Sequence, residues 1–342
     1  MEKQAIITVK DLQTFFYSGK RCNKVLNGVS FELYKGRTLC IVGESGCGKS
    51  VTASSIMQLL PRLSRIESGS ITYHGEDGDV RIDQLPRNGR EMRALRGRDI
   101  AMIFQDPMTA LNPVYTIGFQ IGENLKYHTD LDKKARRSRV VELLTQMGIS
   151  TPEKRVDQYP HEFSGGMRQR AMIGMAMSCN PKVLIADEPT TALDVTIQAQ
   201  IFELMEELKQ KHDTAVLLIT HDMGVVSELA DDVAVMYMGS IVEQGSVREV
   251  LKRPAHPYTA ALLRSIPVLH KGKNQQLDPI RGTTPDPHDR PKGCQFAPRC
   301  DYCGERCLHE MPPETRVSEG HAVRCWSGEQ VYAGAREEAA AQ

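Results

Sequence analysis

Two short stretches of this 342-residue chain carry side chains suited to binding phosphate and to activating water. Residues 43–50 read Gly-Glu-Ser-Gly-Cys-Gly-Lys-Ser, which matches the phosphate-binding pattern G-x-x-x-x-G-K-[ST]. Glycines at these positions let backbone N–H groups converge on phosphate oxygens at the start of a helix. We expect Lys49 to bridge the β- and γ-phosphates of a nucleotide, and the Ser50 hydroxyl to bind Mg²⁺. The other candidate nucleotide contacts in this loop are Gly43, Glu44, Ser45, Gly46, Cys47, Gly48 and Val51.

The second stretch, residues 183–188, is an apolar run that ends in the carboxylates of Asp187 and Glu188. We expect Asp187 to hold Mg²⁺ through its water shell, and Glu188 to orient and polarise the attacking water as general base. An acidic pair after a strand is usually only a solvated strand end. The phosphate loop upstream makes nucleotide hydrolysis the better interpretation.

Short apolar runs alternate with helical patterns as far as about residue 265, which predicts an α/β fold with a mainly parallel sheet. The runs that indicate buried strands are residues 39–42, 101–104, 183–186, 215–219 and 233–238. Between two of these runs, apolar residues follow helical spacing at Ile197, Ile201, Leu204, Met205 and Leu208. Residues 106–168 are rich in helical pattern and poor in strand runs, so we predict a helical insert there.

The composition of the sequence changes after residue 265, where frequent prolines prevent any long helix or strand. We therefore divide the chain into a nucleotide-binding domain (1–265), a separate, irregular cysteine-rich extension (266–330) and a frayed, disordered tail (331–342).

Charge and hydropathy exclude several classes of protein. With 43 basic and 43 acidic side chains the formal net charge is zero, so no overall field draws the chain to nucleic acid or to an anionic membrane. The longest unbroken apolar run, residues 233–238, is far shorter than the roughly 20 residues that a membrane-spanning helix needs. The N-terminal sequence lacks the apolar core of a secretory signal. We expect a cytosolic chain that can still dock on a membrane protein.

Residues 164–170 read Ser-Gly-Gly-Met-Arg-Gln-Arg, which resembles the signature motif of ATP-binding-cassette (ABC) ATPases. The other elements of that family follow in order along roughly 260 residues. They are Phe16 with neighbouring Tyr17 as the aromatic that stacks on adenine, Gln105 in the Q-loop, Asp187 and Glu188 at the end of Walker B, Ala192, Leu193 and Asp194 in the D-loop, and His221 as the switch histidine. The resemblance implies a P-loop ABC ATPase cassette with a helical subdomain insert.

The resemblance also implies how the site works. Ser164, Gly165 and Gly166 close on the γ-phosphate bound by the opposite subunit, so two cassettes form two complete sites. Gln105 joins Ser50 and Asp187 around Mg²⁺. Asp194 joins the ATP contacts, and His221 joins Glu188 as a catalytic residue.

Three features depart from the most familiar family pattern. Phe163 and Met167 replace a leucine and a glutamine of the signature, a variation also met among peptide importers. Val51 stands where a hydroxyl residue is frequent, so one contact to the α-phosphate is absent. Cys47 occupies a variable loop position. If its thiol is exposed, a maleimide should inhibit the ATPase and prior ATP should protect it.

Four further segments narrow the resemblance to the ATPase subunits of bacterial oligopeptide and dipeptide importers, a group that also includes nickel and glutathione uptake. These segments are residues 104–113, 159–162, 256–259 and 293–300. The resemblance implies a peripheral subunit on the cytoplasmic face of the inner membrane. Its implied partners are two membrane permeases, a second ATPase subunit, which we expect to be a different chain, and an extracytoplasmic substrate-binding protein.

Five of the nine cysteines lie close together in the sequence, in the pattern C-x₅-C-x₂-C-x₃-C-x₁₇-C, with His309 and His321 nearby. Disulfides are rare in a reducing cytosol, so metal is the first interpretation: a [4Fe–4S] cluster, or Zn²⁺ as the alternative. Reduced structural thiols or a disulfide formed on handling are further alternatives. The resemblance implies a cluster on Cys294, Cys300, Cys307 and Cys325, because these match the cysteines to which a cluster has been assigned in members of the group. Cys303 is extra to that set, either a bystander or an alternative ligand.

A rival interpretation is a nucleic-acid-linked ABC ATPase, suggested by the basic run at residues 133–139. Such a run on a helix is usually a solvated face. Repair and chromosome members also interrupt the cassette with long insertions that this sequence lacks, and ribosome-acting members carry two cassettes. We therefore expect no nucleic-acid partner.

Overall fold

The computed structural model describes residues 4–19, 21–190, 193–265 and 280–340. Its strands are β1 Ala5–Ser18, β2 Arg21–Tyr34, β3 Thr38–Val42, β4 Ser64–Gly75, β5 Gly78–Arg81, β6 Ile100–Ile103, β7 Val183–Asp187, β8 Ala215–Ile219, β9 Asp232–Tyr237, β10 Ser240–Ser246, β11 Thr315–Ser318 and β12 His321–Val323. Its α-helices are α1 Lys49–Ile56, α2 Arg90–Leu95, α3 Pro107–Ala110, α4 Ile117–His128, α5 Lys133–Gln146, α6 Pro152–Arg155, α7 Gly165–Ala176, α8 Val195–His212, α9 Met223–Leu229, α10 Val247–Lys252, α11 Pro257–Arg264, α12 Glu305–His309 and α13 Gly328–Ala340. Single 3₁₀ turns cover Ile82–Gln84, Pro160–Glu162 and Ala297–Arg299.

The chain forms two compact units, each assembled from separate segments. The first comprises Met1–Ile7, Leu33–Thr38 and Tyr73–Ile219. The second comprises Thr8–Glu32, Leu39–Thr72 and Thr220–Gln342. This division differs from the sequential one that we predicted, because the cysteine-rich segment lies in the same unit as the phosphate loop.

In the first unit, β8, β7 and β6 lie side by side in that order and run parallel. All five residues of β7 and of β8 are buried, as expected for strands covered on both faces. Between β6 and β7 the described chain contains helices and turns only, from α3 to α7. The predicted α/β class with a helical insert is therefore confirmed, and α7 continues to Ala176, beyond the predicted end at residue 168.

Helix α8 of this unit shows how a periodic pattern becomes a buried face. Ile201, Leu204, Met205 and Leu208 are all buried, and polar positions occupy the opposite side. The helix begins after Asp194, whose carboxylate accepts the N–H of Ile197 at 2.9 Å. Among the helices of the described ranges, none combines the length and the apolar character needed to cross a lipid bilayer.

In the second unit, the sheet order is β11-β12-β10-β9-β3. Strands β3 and β9 pair in parallel, whereas β9, β10, β12 and β11 pair antiparallel in turn. Strands β2, β1 and β4 are also neighbours in that order. The parallel strands lie close to the predicted runs, and the antiparallel partners were not predicted.

The C-terminal segment differs from its prediction in two ways. It is not a separate unit, because β12 pairs with β10 through Glu243 and Val323 and so extends the same sheet. Residues 331–340 of the predicted disordered tail belong to helix α13, in which Val331 is buried and the Tyr332 hydroxyl donates to Glu249 at 3.0 Å. The first part of the predicted extension, residues 266–279, lies outside the described residues.

Candidate active site

The phosphate loop joins strand β3 to helix α1 through three glycines with positive φ. Gly43, Gly46 and Gly48 have φ values of 152°, 78° and 110°. A Cβ atom at Gly43 would lie 2.2 Å from the carbonyl oxygen of Met236, so only glycine fits there. The loop is therefore pressed against β9 and delivers the chain to the helix N-terminus, as its pattern predicts.

Lys49, the first residue of α1, is buried beneath this loop. Its ammonium donates to the carbonyl oxygens of Gly43 at 2.7 Å and Glu44 at 3.1 Å. The next side chain, Ser50, is exposed. The backbone of the loop thus surrounds the Lys49 ammonium. The next residue, Ser50, offers an oxygen ligand of the kind that Mg²⁺ prefers.

Cys47 does not meet the condition for maleimide inhibition, because its side chain is only 5% exposed. Burial raises the pKa of its thiol, and the nearby charge of Lys49 opposes that rise only in part. Since the thiolate is the reactive form, the thiol is protected both by access and by protonation.

We expect Cys47 to react with a maleimide on the order of tenfold more slowly than Cys22, whose thiol is exposed. Labelling of the native chain at neutral pH, mapped by peptide mass spectrometry, measures both sites in one sample. Equal labelling of the two sites would contradict the buried position of Cys47.

The structure separates the two aromatic side chains proposed for adenine. Thr14, two residues before Phe16, meets Ser55 of helix α1 at 3.0 Å, and alternate residues of a strand share a face. Phe16 therefore lies on the α1 side of β1. Tyr17 lies on the other side, where its hydroxyl donates to Glu67. Of the two rings, Phe16 is the one on the face that leads to the phosphate loop.

The acidic residues lie in the first unit, at the end of β7. Asp187 is buried, and Glu188 follows with a left-handed backbone of φ 46°. The N–H of Glu188 donates to Ile219 at 2.9 Å, and the Gln105 amide donates to its carboxylate at 3.0 Å. A glutamate in this unfavourable conformation is held by neighbours on both sides, which points its carboxylate at the Q-loop residue.

The signature residues stand at the start of α7, also in the first unit. Ser164 caps the helix by accepting the N–H of Met167 at 3.4 Å, and Gly165 is exposed. A Cβ atom on Gly166 would lie 3.0 Å from Ile197 of α8, so this glycine brings the two helices close together. An exposed serine and exposed backbone at a helix N-terminus suit an anion supplied from outside the chain.

The remaining predicted site residues are placed by helix caps and strand ends. Asp194 caps α8, as described above, whereas Ala192 of the same D-loop lies outside the described residues. In the second unit His221 is exposed and follows Thr220, whose N–H donates to Ile41 of β3 at 3.3 Å. That hydrogen bond holds the start of the His221 turn beside the strand that leads to the phosphate loop.

The cysteine-rich segment brings four of its five thiols to one cavity of about 10 Å³. The cysteines that line it are Cys294, Cys300, Cys307 and Cys325, the set that the resemblance implies, and buried His256 joins them. Cys303 does not line the cavity and is exposed. Burial raises the pKa of Cys300 to about 12 and that of Cys325 to about 11.

The four thiols line the same cavity, but their side chains are not arranged as the ligands of a metal ion. Within the described ranges, no group of three or more His, Cys, Asp and Glu side chains is arranged to hold a metal ion. A cavity of about 10 Å³ has room for at most about one water molecule. The predicted iron–sulfur site therefore has its donors gathered but not converged.

Sequence reasoning gave no role to two residues that contact the phosphate loop. The buried Tyr258 accepts the N–H of Glu44 through its hydroxyl at 2.9 Å, and Arg299 pairs with the Glu44 carboxylate. That hydrogen bond from Arg299 is the main cause that lowers the pKa of Glu44. Tyr258 lies in the segment at residues 256–259 that supported the family resemblance. Its contact with the loop could not be predicted, because 214 residues separate Tyr258 from Glu44.

Comparisons with known proteins identify the family of the chain. Residues 26–191 match the family model described as ABC transporter, and residues 242–307 match that of the oligopeptide/dipeptide transporter C-terminal region. A dipeptide transport ATP-binding protein of Bacillus subtilis is 50% identical over 331 residues, 96% of each chain. An oligopeptide transport ATP-binding protein of the same organism is 51% identical over 324 residues, 94% of this chain and 88% of that one.

Solved structures match over the cassette. A dimeric post-hydrolysis state of the ATP-binding cassette MJ0796, bound to ADP and Pi, matches 71% of this chain and 99% of that chain with a TM-score of 0.62 at 24% identity, which supports the fold alone. The structure of cbiO1 from Clostridium perfringens covers 73% of this chain and 91% of that chain, with a TM-score of 0.60 at 27% identity. The chain therefore belongs to the ABC transporter ATPases, in the group whose members carry the oligopeptide/dipeptide transporter C-terminal region.

Proposed function

We propose that this chain is the ATP-hydrolysing subunit of an ABC importer that takes up dipeptides or oligopeptides. The observation that carries the proposal is the C-terminal region, which matches the oligopeptide/dipeptide transporter model and is built into the same unit as the phosphate loop. The names of its relatives, which specify dipeptide and oligopeptide transport, support the substrate class. Nickel or glutathione uptake by the same machinery is the alternative.

In this proposal the loop at residues 43–50 binds the phosphates, and Lys49 exchanges its loop carbonyl partners for phosphate oxygens. Phe16 stacks on adenine. The oxygen donors of Ser50, Gln105 and Asp187 suit Mg²⁺, which would screen the phosphate charge during transfer. Glu188, oriented by Gln105, accepts the proton of the attacking water, and His221 assists at the γ-phosphate.

A second ATPase subunit completes each site in this proposal. Ser164, Gly165 and Gly166 offer a hydroxyl and helix N–H groups to the γ-phosphate held by that partner, near Asp194 of the D-loop. ATP closes the pair and hydrolysis opens it, so the difference in ATP affinity between the two states drives transport.

The partners follow from the same proposal. We infer that the chain works at the cytoplasmic face of the inner membrane with two permeases, an extracytoplasmic substrate-binding protein and a second ATPase, which we expect to be a different chain. The test is an affinity pull-down of the full chain from gently solubilised membranes of its own organism, with the recovered chains identified by mass spectrometry.

Recovery of two permeases with a peptide receptor would support the proposal and name the partners. A receptor for nickel or glutathione in the same complex would favour the alternative. Recovery of nucleic-acid-associated chains without permeases would overturn the transport assignment and leave the ATPase chemistry in place.

We also propose that Cys294, Cys300, Cys307 and Cys325 hold a metal centre, a [4Fe–4S] cluster or, alternatively, Zn²⁺. Their shared cavity supports this donor set, and the exposure of Cys303 leaves it outside. Because the thiols are not converged, binding requires their side chains to rotate and to lose their protons.

Cys307→Ser is therefore expected to abolish metal binding, whereas the matched change Cys303→Ser leaves the metal content within about 20% of the parent value. Iron, sulfide and zinc analysis of anaerobically purified chains gives the amounts, and visible absorption identifies a cluster. Full metal content in Cys307→Ser, or its loss in Cys303→Ser, would contradict the proposed donor set. Stoichiometric zinc without iron would select the alternative.

A further inference from the structure

The cysteine-rich segment contacts the phosphate loop directly. The guanidinium of Arg299 donates to both carboxylate oxygens of Glu44, at 2.7 and 2.9 Å. The side chain of Arg299 is only 4% exposed and also donates to the carbonyl of Arg281 at 2.8 Å and to the Tyr237 hydroxyl at 3.4 Å. A bidentate pair of this kind fixes both position and orientation, because the two hydrogen bonds are parallel.

Every polar part of Glu44 is held. Its carboxylate also accepts from the Thr284 hydroxyl at 3.0 Å, and its N–H donates to Tyr258 at 2.9 Å. Its carbonyl accepts from Lys49, the residue that we assign to the phosphates. Glu44 therefore links the cation of the loop to three side chains from the C-terminal third of the chain.

A second contact holds the far end of the loop. Arg290, also from the C-terminal segment, donates to the carbonyl of Met238 at 2.7 Å. The following residue, Gly239, donates its N–H to the carbonyl of Cys47 at 2.8 Å. The loop is thus anchored to the cysteine-rich segment at its start through Glu44 and at its end through this turn.

The ion pair between Arg299 and Glu44 also neutralises a negative charge in the phosphate loop. A carboxylate in the second position of a phosphate loop would repel the triphosphate if it were left unpaired. The bidentate contact with Arg299 neutralises that carboxylate and directs it away from the loop interior, where Lys49 contacts the backbone. One contact therefore fixes the shape of the loop and removes an unfavourable charge from it.

We propose that Arg299 is a positioning residue of the phosphate loop, through which the cysteine-rich segment sets the affinity of this chain for the triphosphate of ATP. The inference rests on the proposed ATP site, since it needs a loop that binds nucleotide. It gives the C-terminal region a role in nucleotide binding as well as in any metal binding.

The experiment measures binding of the Mg²⁺ complex of AMP-PNP, a non-hydrolysable ATP analogue, to the full chain, together with KM and kcat for ATP hydrolysis by the full chain in complex with its partner ATPase subunit. Arg299→Ala is expected to raise Kd and KM about tenfold, because one charged hydrogen-bonded pair is lost, and to leave kcat within about twofold. Adding Glu44→Gln removes the unpaired charge, so the double variant should recover to within about threefold of the parent Kd.

Arg316→Ala is the matched control, because this arginine lies in the same segment with an exposed side chain. It should bind the analogue as the parent does. If Arg299→Ala does not fold, Arg299→Gln replaces it with the same expectation, since glutamine keeps much of the volume and one donor.

Three outcomes decide the matter. No binding by the parent chain would overturn the proposed ATP site itself. Parent binding with an unchanged Kd in the Arg299 variant would overturn the role of Arg299. An Arg299 variant that binds weakly and does not recover on adding Glu44→Gln would reduce Arg299 to a structural residue, which also overturns the proposal.

Discussion

Glu188→Gln is expected to lower kcat for ATP hydrolysis by about 10²- to 10⁴-fold, the usual contribution of a general base, while the chain still binds MgATP. Glutamine keeps the size of the side chain and one oxygen, so the hydrogen bond from Gln105 at 3.0 Å can persist. What the variant loses is the ability to accept a proton from water. Steady-state ATPase assays of the chain in complex with its partner ATPase subunit, and equilibrium nucleotide binding to the chain, separate these two properties.

The control for this prediction is Glu203→Gln, which makes the same chemical change on an exposed position of α8 in the same unit. Its ATPase activity should equal that of the parent. Near-normal hydrolysis by Glu188→Gln would remove Glu188 from the role of base. Loss of nucleotide binding in that variant would instead make its carboxylate part of the binding site.

Chemistry that lies within one short segment could be predicted from the sequence. Lys49 and two of the loop glycines, Gly43 and Gly48, occupy fixed positions in an eight-residue pattern, and the strand before them was located to within one residue. Buried parallel strands such as β7 and β8 are also visible, because they are apolar on both faces. The structure of these segments can be predicted because it depends mainly on the residues within each segment.

Long and partly exposed strands were not predicted. Strand β2, at residues 21–34, mixes buried and exposed positions without clean alternation and contains Gly28 with φ 76°. Its pattern resembles a loop until its neighbours β1 and β4 are known. The same is true of β12, which is three residues long and gains its place by pairing with β10.

Contacts between distant parts of the chain explain what else the sequence left open. Arg299 and Glu44 are 255 residues apart, so the sequence around either residue does not predict its contact with the other. The choice between Phe16 and Tyr17 likewise needed the partners of β1 on each face. In both cases the residue types could be read from the sequence, but it did not predict which residues contact each other in the fold.

Glu243 is the clearest such case, because it stabilises the fold without belonging to any motif. Its side chain is fully buried on β10 and accepts the N–H groups of Ala255 at 2.7 Å and His256 at 2.9 Å. It also accepts from Nε2 of His321, itself fully buried on β12, at 2.7 Å. One carboxylate thus joins the central strand, the start of helix α11 and the C-terminal hairpin.

This arrangement leaves no role for His321 as a metal ligand through Nε2, since a carboxylate can only accept and the ring nitrogen must donate to it. The negative charge also lies beside the first residues of α11, where a helix N-terminus favours it. Removing the carboxylate would strand two buried backbone donors and a buried imidazole at once.

Glu243→Ala is therefore expected to lower the free energy of unfolding by about 3–5 kcal/mol, because two buried backbone N–H groups and a buried imidazole each lose a hydrogen-bond acceptor, at a cost on the order of 1–3 kcal/mol per group. Glu243→Gln keeps one acceptor oxygen and should cost about 1–3 kcal/mol, so it gives a measurable variant if the alanine chain does not fold. Urea unfolding followed by tryptophan fluorescence suits the measurement, because Trp326, the single tryptophan of the chain, lies in the same C-terminal segment.

The matched change is Glu314→Ala, which removes a glutamate that is 53% exposed and 3.6 Å from Arg324. An exposed ion pair of this length contributes little, so the loss should stay below about 1 kcal/mol. The contrast between the two glutamates isolates burial as the cause, since both lie in the second unit and each faces a basic side chain. Equal losses in the two variants would show that the hydrogen bonds of Glu243 do not hold the C-terminal hairpin to the central strand.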